Sequence, residues 1–312
     1  MKNDCHNKQG KFIIWLILAI LIILTVVSAV LLFRVLSIKK NLQSQFGKGN
    51  PETETAEEKE EIQIYLPEIY YVGTGLTTEI YNAQVTGKCN DITRYNVLWS
   101  CDIGENLERK YSLTATEEMV GEHELTLSIY DNALKLLAQK TCTLKVVNGK
   151  AEAPFSVLQV GKMISDNDIL YHRLQALTGD KIIFEDTMSV EEFSANEISA
   201  DAVQIFFEAD NIQDGEANAV EILTLLEKLL ASGVNVPVYV VNAVYEQEPD
   251  SEAVRLMRDL SKKLAAYENV YFVPVGISVD SEYNYEENDV TYPNEAGYTQ
   301  IADLMFSAFC GI

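Results

Sequence analysis

The sequence predicts an α/β protein: a doubly wound parallel sheet, preceded by an all-β sandwich and an N-terminal transmembrane helix. Three observations carry this. Residues 12–33, FIIWLILAILIILTVVSAVLLF, contain no charge. Residues 62–147 hold short segments rich in Tyr, Val, Ile, Leu and Thr, separated by turn signals. From Pro154 onward, strand-length apolar runs alternate with helical patterns.

The apolar run is about 22 residues long, enough to cross roughly 30 Å of hydrocarbon at 1.5 Å per residue. A cleavable signal peptide has a shorter apolar core and a small-residue cleavage site. Here Ser28 and Ala29 fall inside the run, so the expectation is an uncleaved anchor. Residues 1–11 form a short tail. Lys2, Lys8 and Lys11 precede the span and Arg34, Lys39 and Lys40 follow it, so the flanking charge is nearly balanced. The short tail favours a cytoplasmic N-terminus and an extracytoplasmic body. Residues 34–61 read as an acidic, flexible stalk; NLQSQFGKGNPETETAEEKEE (41–61) has no apolar periodicity. The formal net charge of −23 argues against nucleic acid and anionic lipid as partners.

Residues 62–148 form the expected sandwich domain. Its strands are IQIYLPEIYYV, TEIYNAQV, YNVLWSCDI, RKYSLTA, HELTLSIYD and KTCTLKVV. Trp99 and Tyr130 read as core or rim residues. Among Cys89, Cys101, Cys142 and Cys310, the pair Cys101–Cys142 is a disulfide candidate, with small buried hydrophobes as the alternative. No Cys-x-x-Cys occurs, and His6, His123 and His172 are far apart in sequence. No metal site and no cofactor are expected.

Residues 154–312 form the α/β domain. FSVLQVG is a buried strand ending at Gly161. DNDILYHRLQALTG is a helix with Asp166 as N-cap and Gly179 as C-cap. KIIFED, AVQIFFEA, VPVYVVNAV and VYFVPVG are the further strands. Helices are expected near Val190–Glu197, over AVEILTLLEKLLASG, over SEAVRLMRDLSKKLAAY and over EAGYTQIADLMFSAF. Ligands on such folds sit at the carboxyl ends of the strands: here Gly161–Ser165, Glu208–Asn211, Ala243–Tyr245 and Gly276–Asp280.

The order of these blocks, and PNEAGYTQIAD near the C-terminus, resemble the SGNH or GDSL-type hydrolases. That resemblance implies a flavodoxin-like sheet, preceded here by an Ig-like sandwich as in some secreted relatives. It also implies where a catalytic triad would stand. Gly161 matches the family's first glycine, but Lys162 stands for its Asp and Met163 for the nucleophilic Ser. Glu208 stands for the Gly of the oxyanion turn, and Asp210 for its Asn. Asp289 and Pro293 match the last block, whereas Tyr292 replaces the His. A thioether cannot form an acyl-enzyme. A carboxylate repels an oxyanion, and a phenol with a pKa near 10 is a poor base at neutral pH. The expectation is a degenerate member without catalytic residues.

Other residues near the same edge are Ser165, Asn211 and Tyr245. Ser165 and His172 are seven positions apart, about 10 Å of helical rise, too far for a direct hydrogen bond. Glu208, Asp210 and Asp289 form either a solvated acidic rim or a carboxylate cluster. Tyr245, Tyr283, Tyr285 and Tyr292 are candidates for stacking on sugar, and the loop SEYNYEEND can cover the cleft. The first reading is thus an inactive, anchored protein that binds or scaffolds, with a glycan or an envelope protein as partner. The alternatives are an active carbohydrate esterase or deacetylase with a rearranged site, and an assembly subunit of an envelope acyltransferase or transporter.

Overall fold

The computed structural model describes residues 62–311 except 63, 87–93, 151–153, 162–163, 165–166, 189–197, 210–211, 232–234, 245–250, 280–284 and 287–288. The apolar run, the stalk, Cys89 and the helix expected near Val190–Glu197 lie outside the described residues. Among the described residues, no helix is long and apolar enough to cross a membrane. Glu61–Ile312 is one compact unit.

The N-terminal part builds two sheets. In the first, β1 (Ile69–Gly73), β7 (Leu136–Val147), β6 (Gly121–Asp131) and β3 (Tyr95–Ser100) lie side by side in that order. β1 runs parallel to β7, and the other pairs are antiparallel. The second sheet is β2 (Thr77–Tyr81), β5 (Lys110–Thr114) and β4 (Glu105–Asn106). Their inward residues meet in one core that includes Tyr70, Val72, Ile80, Trp99, Tyr111, Leu125 and Leu144. The Trp99 and Tyr111 rings, one from each sheet, have centroids 5.9 Å apart.

Two expectations are corrected here. The segment TEIYNAQV is a strand only as far as Tyr81; Asn82–Thr86 is a short helix, α1. Asn82 supplies the reason. Its side chain donates to Glu108 O (3.1 Å) and accepts from Trp99 Nε1 (2.7 Å). Its own N–H donates to Arg109 O and its carbonyl accepts from Thr86 Oγ1. These bonds turn the chain away from the strand direction. The disulfide candidate also fails: Cys101 and Cys142 are free thiols. β6 runs between them, with Ser100 opposite Thr126 and Leu125 opposite Cys142. Two strand spacings of about 4.8 Å exceed the roughly 4.4–6.8 Å Cα separation that a disulfide requires. Burial, followed by the neighbouring Cys101, pushes the Cys142 thiol up to about 12.

The C-terminal part contains a five-stranded sheet in the order β12 (Val270–Phe272), β11 (Val238–Val244), β10 (Ala202–Ala209), β8 (Phe155–Gly161), β9 (Ile182–Met188). Every neighbouring pair is parallel. Counted in chain order, this is 2-1-3-4-5, the flavodoxin-like doubly wound arrangement. The strands read as unbroken apolar runs because alternate residues enter different helical layers. Leu158, Val160, Val203, Ile205, Val238 and Val240 pack on one face with α3 (Ile212–Ala231) and α4 (Ser251–Leu264). Val157, Phe206 and Tyr239 face the other way, toward α2 (Asp168–Thr178) and α5 (Glu295–Cys310).

Helix α2 begins one residue later than expected. Asn167, not Asp166, is the N-cap, and its side chain accepts from Leu170 N at 3.0 Å. Gly179 is the left-handed C-cap, as its position predicts. The fifth strand is shorter than VYFVPVG. It ends at Phe272, and Val275–Ser278 form a 3-10 turn with Val275, Ile277 and Ser278 buried.

Candidate functional site

The carboxyl edge of the parallel sheet is formed by the ends of β8, β10 and β11. In register, Gly161 lies opposite Phe206, Glu208 opposite Ala243, and Ala209 opposite Val244. The first and third strands of the domain therefore end side by side, the place where a doubly wound fold presents its ligand site.

Gly161 adopts φ +88°, a conformation that side chains rarely take. A Cβ built there would lie 2.5 Å from Phe206 O and 3.3 Å from the Phe207 ring. The glycine at the first strand end is thus required twice, by the turn and by the close approach of β10. Glu208 is half-buried, and its carbonyl accepts from Asn218 Nδ2 of α3 at 3.1 Å. This bond draws the end of β10 onto the first turns of α3.

The loop leaving β8 is held from beneath by a residue the sequence reading passed over. Gln159 is 2% exposed. Its Oε1 accepts from Ile164 N at 2.7 Å, and its Nε2 donates to Glu185 O of β9 at 3.1 Å. One buried amide therefore ties the loop to the edge strand. An amide side chain between Leu158 and Val160, inside the apolar run FSVLQVG, was the signal available.

The remaining candidates divide as follows. Lys162, Met163, Ser165, Asp210, Asn211, Tyr245 and Tyr283 lie outside the described residues, each next to or near a strand end. The backbone of Asp289 and Tyr292 belongs to β14 (Asp289–Pro293), which pairs with β13 (Tyr285–Glu286) as a small antiparallel hairpin. Tyr285 lies opposite Pro293, and Glu286 opposite Asp289. The segment SEYNYEEND therefore supplies one strand of a hairpin immediately before α5. Asn294 caps that helix, its side chain accepting from Gly297 N at 3.1 Å. His172 is exposed on α2, its ring edge-on to Tyr171 with centroids 5.5 Å apart. Among the described residues, no group of three or more His, Cys, Asp or Glu side chains is arranged to hold a metal ion.

His123 of β6 has both ring nitrogens engaged: Nδ1 with Asp102 at 2.9 and 3.0 Å, Nε2 with Met119 O at 2.9 Å. Carbonyls and carboxylates only accept, so this geometry favours the imidazolium, in which both nitrogens donate. Neither nitrogen is free to face a substrate.

No protein-family model matches the chain, and no curated protein matches it. Among solved structures, it is similar to a lipase from a goat rumen metagenome, at 12% identity over 51% of this chain and 98% of that one, with a TM-score of 0.36. It is also similar to a member of the lipolytic G-D-S-L family from Veillonella parvula, at 16% identity over 50% and 99% of the two chains, with a TM-score of 0.35. An acetyl xylan esterase from Butyrivibrio proteoclasticus is similar at 10% identity over 80% and 92%, with a TM-score of 0.33. At these identities and TM-scores the likenesses transfer neither activity nor substrate to this chain.

Proposed function

We propose that this chain is a membrane-anchored, extracytoplasmic protein in which an Ig-like sandwich supports an SGNH-like domain that no longer hydrolyses esters. Its role is binding or scaffolding at the cell envelope. The observation that carries this is the simultaneous replacement of three reacting groups, by Met163, Asp210 and Tyr292, at the positions where an SGNH-type layout requires Ser, Asn and His. The 2-1-3-4-5 sheet order and the left-handed Gly161 packed against β10 support that alignment, because they put the first and third strands side by side. Each loss is large: one missing oxyanion donor costs about 10²–10³ in rate, and missing triad members cost more.

The full chain, purified in detergent, is expected to show no turnover of short acyl esters or acetylated xylan above a buffer blank. Turnover that disappears in Ser165→Ala would overturn the reading in favour of a rearranged esterase site. The triple variant Met163→Ser/Asp210→Asn/Tyr292→His is expected to gain weak esterase activity. Protease accessibility on intact cells tests the orientation: the body is expected to be cut and the residue 1–11 tail protected.

A further inference from the structure

We infer that the tip of the β6–β7 hairpin is a lipid-contacting site, which rests in the headgroup region of a zwitterionic bilayer. Residues 130–137 read YDNALKLL. Leu134 is 73% exposed, Leu136 45% and Leu137 37%. Leu134 has φ +60°, in the left-handed region, at a place in hairpin loops that glycine usually fills. A leucine there helps neither the loop nor its hydration. Its backbone conformation and its exposure both call for a partner outside the chain.

The main chain of the tip is closed on itself. Leu134 N donates to Asp131 O at 2.9 Å, and Asp131 N to Lys135 O at 3.0 Å. Asp131 Oδ1 accepts from Ala133 N and Lys135 N, both at 2.9 Å. These N–H groups need no water, which is what an apolar surrounding demands of the backbone it covers. The hairpin also projects. Ile69, the first residue of β1, lies opposite Thr143 in parallel register. Residues 136–142 therefore run past the start of β1, about 23 Å at 3.3 Å per residue.

The side chains behind the leucines suit a lipid surface. Tyr130 lies opposite Leu136, and Tyr95 opposite Asp131. Both tyrosines are half-buried, as amphipathic rings are at a bilayer interface. Lys135 and Lys140 are exposed on β7 and the loop before it, and so is Arg94, next to Tyr95. These are three cations against the one carboxylate of Asp131, in a chain with a net charge of −23. Such cations reach lipid phosphates while their stems cover apolar surface. The acidic remainder of the chain repels anionic headgroups, so the surface is zwitterionic. A protein partner fits less well: a stable interface takes about 800 Å² and 20–30 residues a side, more than a narrow convex tip offers. The inference rests on the anchor proposed above for bringing lipid within reach. Residues 34–61 span at most about 100 Å, and a tethered contact needs little affinity of its own.

Photocrosslinking of the full chain in phosphatidylcholine vesicles tests this. Ala133→benzoylphenylalanine should give phospholipid adducts, read by mass spectrometry. The same probe at an exposed site on α3, Val220→benzoylphenylalanine, should give none. Adding Leu134→Gln, Leu136→Gln and Leu137→Gln to the Ala133 variant should cut the lipid adduct about tenfold or more, which takes about 1.4 kcal/mol. A lipid yield at 133 no higher than at 220 would overturn the inference. So would adducts only to a second copy of the chain, or a yield that the three glutamines leave unchanged. The comparison of 133 with 220 stands by itself if the glutamine variant does not fold. Alkaline carbonate extraction of the same vesicles tests the anchor separately: release of the protein would overturn the anchor, while the adduct decides the tip, so each reading can fail alone.

Discussion

Single residues decide how firmly the candidate edge is built. At Gly161 the left-handed conformation alone costs an alanine about 1–2 kcal/mol, and the 2.5 Å approach to a main-chain carbonyl forces β8 and β10 to separate. Gly161→Ala should therefore lower Tm by about 4 °C or more, at roughly 2–4 °C per kcal/mol for a chain of this size; an unchanged melting curve would show that the turn is not as tight as described. At His123, burial works against the charge, but the Met119 carbonyl and the Asp102 carboxylate outweigh it and raise the imidazole above its ordinary value. The His123 bond in turn holds Asp102 below the usual carboxylate range. The signs then follow by linkage. His123 contributes fully below its unfolded pKa, about 6.5, and that contribution is lost as pH rises through its raised folded value. Asp102 contributes above its unfolded pKa, about 3.9, and loses this as pH falls through its lowered value. The pair is thus strongest between about pH 4 and 6.5. Wild type should lose more Tm than His123→Gln as the pH is raised from 6 to 9, and scanning calorimetry at several pH values reads the difference.

Elements show what the sequence made legible. The strands FSVLQVG and AVQIFFEA occupy the expected residues, because a parallel strand covered on both faces leaves a mostly apolar signature, even with Gln159 and Gln204 inside it. Helix ends were legible where a capping residue stands alone, as at Gly179. They were not where two candidates adjoin, as at Asp166 and Asn167. Asn82 was hidden because its four bonds go to Glu108, Arg109, Trp99 and Thr86, partners that local periodicity cannot reveal. The polar residues inside the apolar runs were hidden for the opposite reason: Gln159 and Gln204 are 2% and 1% exposed and adjacent in register, so the hydrophobic pattern absorbed them. The candidate site was legible as a set of strand ends and as a list of missing reactive groups. Its supports, the Gln159 bond to Ile164 and the Asn218 bond to Glu208, depend on long-range side-chain geometry.

At the scale of the molecule, the sequence divides residues 62–148 from 154–312, but packing does not. Tyr70, Val72, Leu125 and Leu144 belong to the same core as Leu174, Phe206, Tyr239, Ile301 and Phe306. The connector is pinned as well: Gly149 N donates to Thr74 Oγ1 at 3.0 Å, and a Cβ at Gly149 would lie 2.5 Å from Thr74 O. Near the C-terminus, Lys145 Nζ reaches Gly311 O at 3.4 Å while lying 5.5 Å from the centre of the Tyr71 ring. Domains that merely touch across a polar interface open separately, whereas a shared apolar core makes separate opening expose side chains on both sides. Native-state hydrogen exchange is the measurement that distinguishes the two. Amides of Leu125–Ile129 in β6 and of Val203–Phe206 in β10 should converge on one opening free energy with one denaturant slope. Exchange of β6 through a shallower, lower-energy opening would mean that the sheets of the N-terminal part unfold while the parallel sheet stays intact, and the β part would then be a detachable module and not a support on which α5 rests.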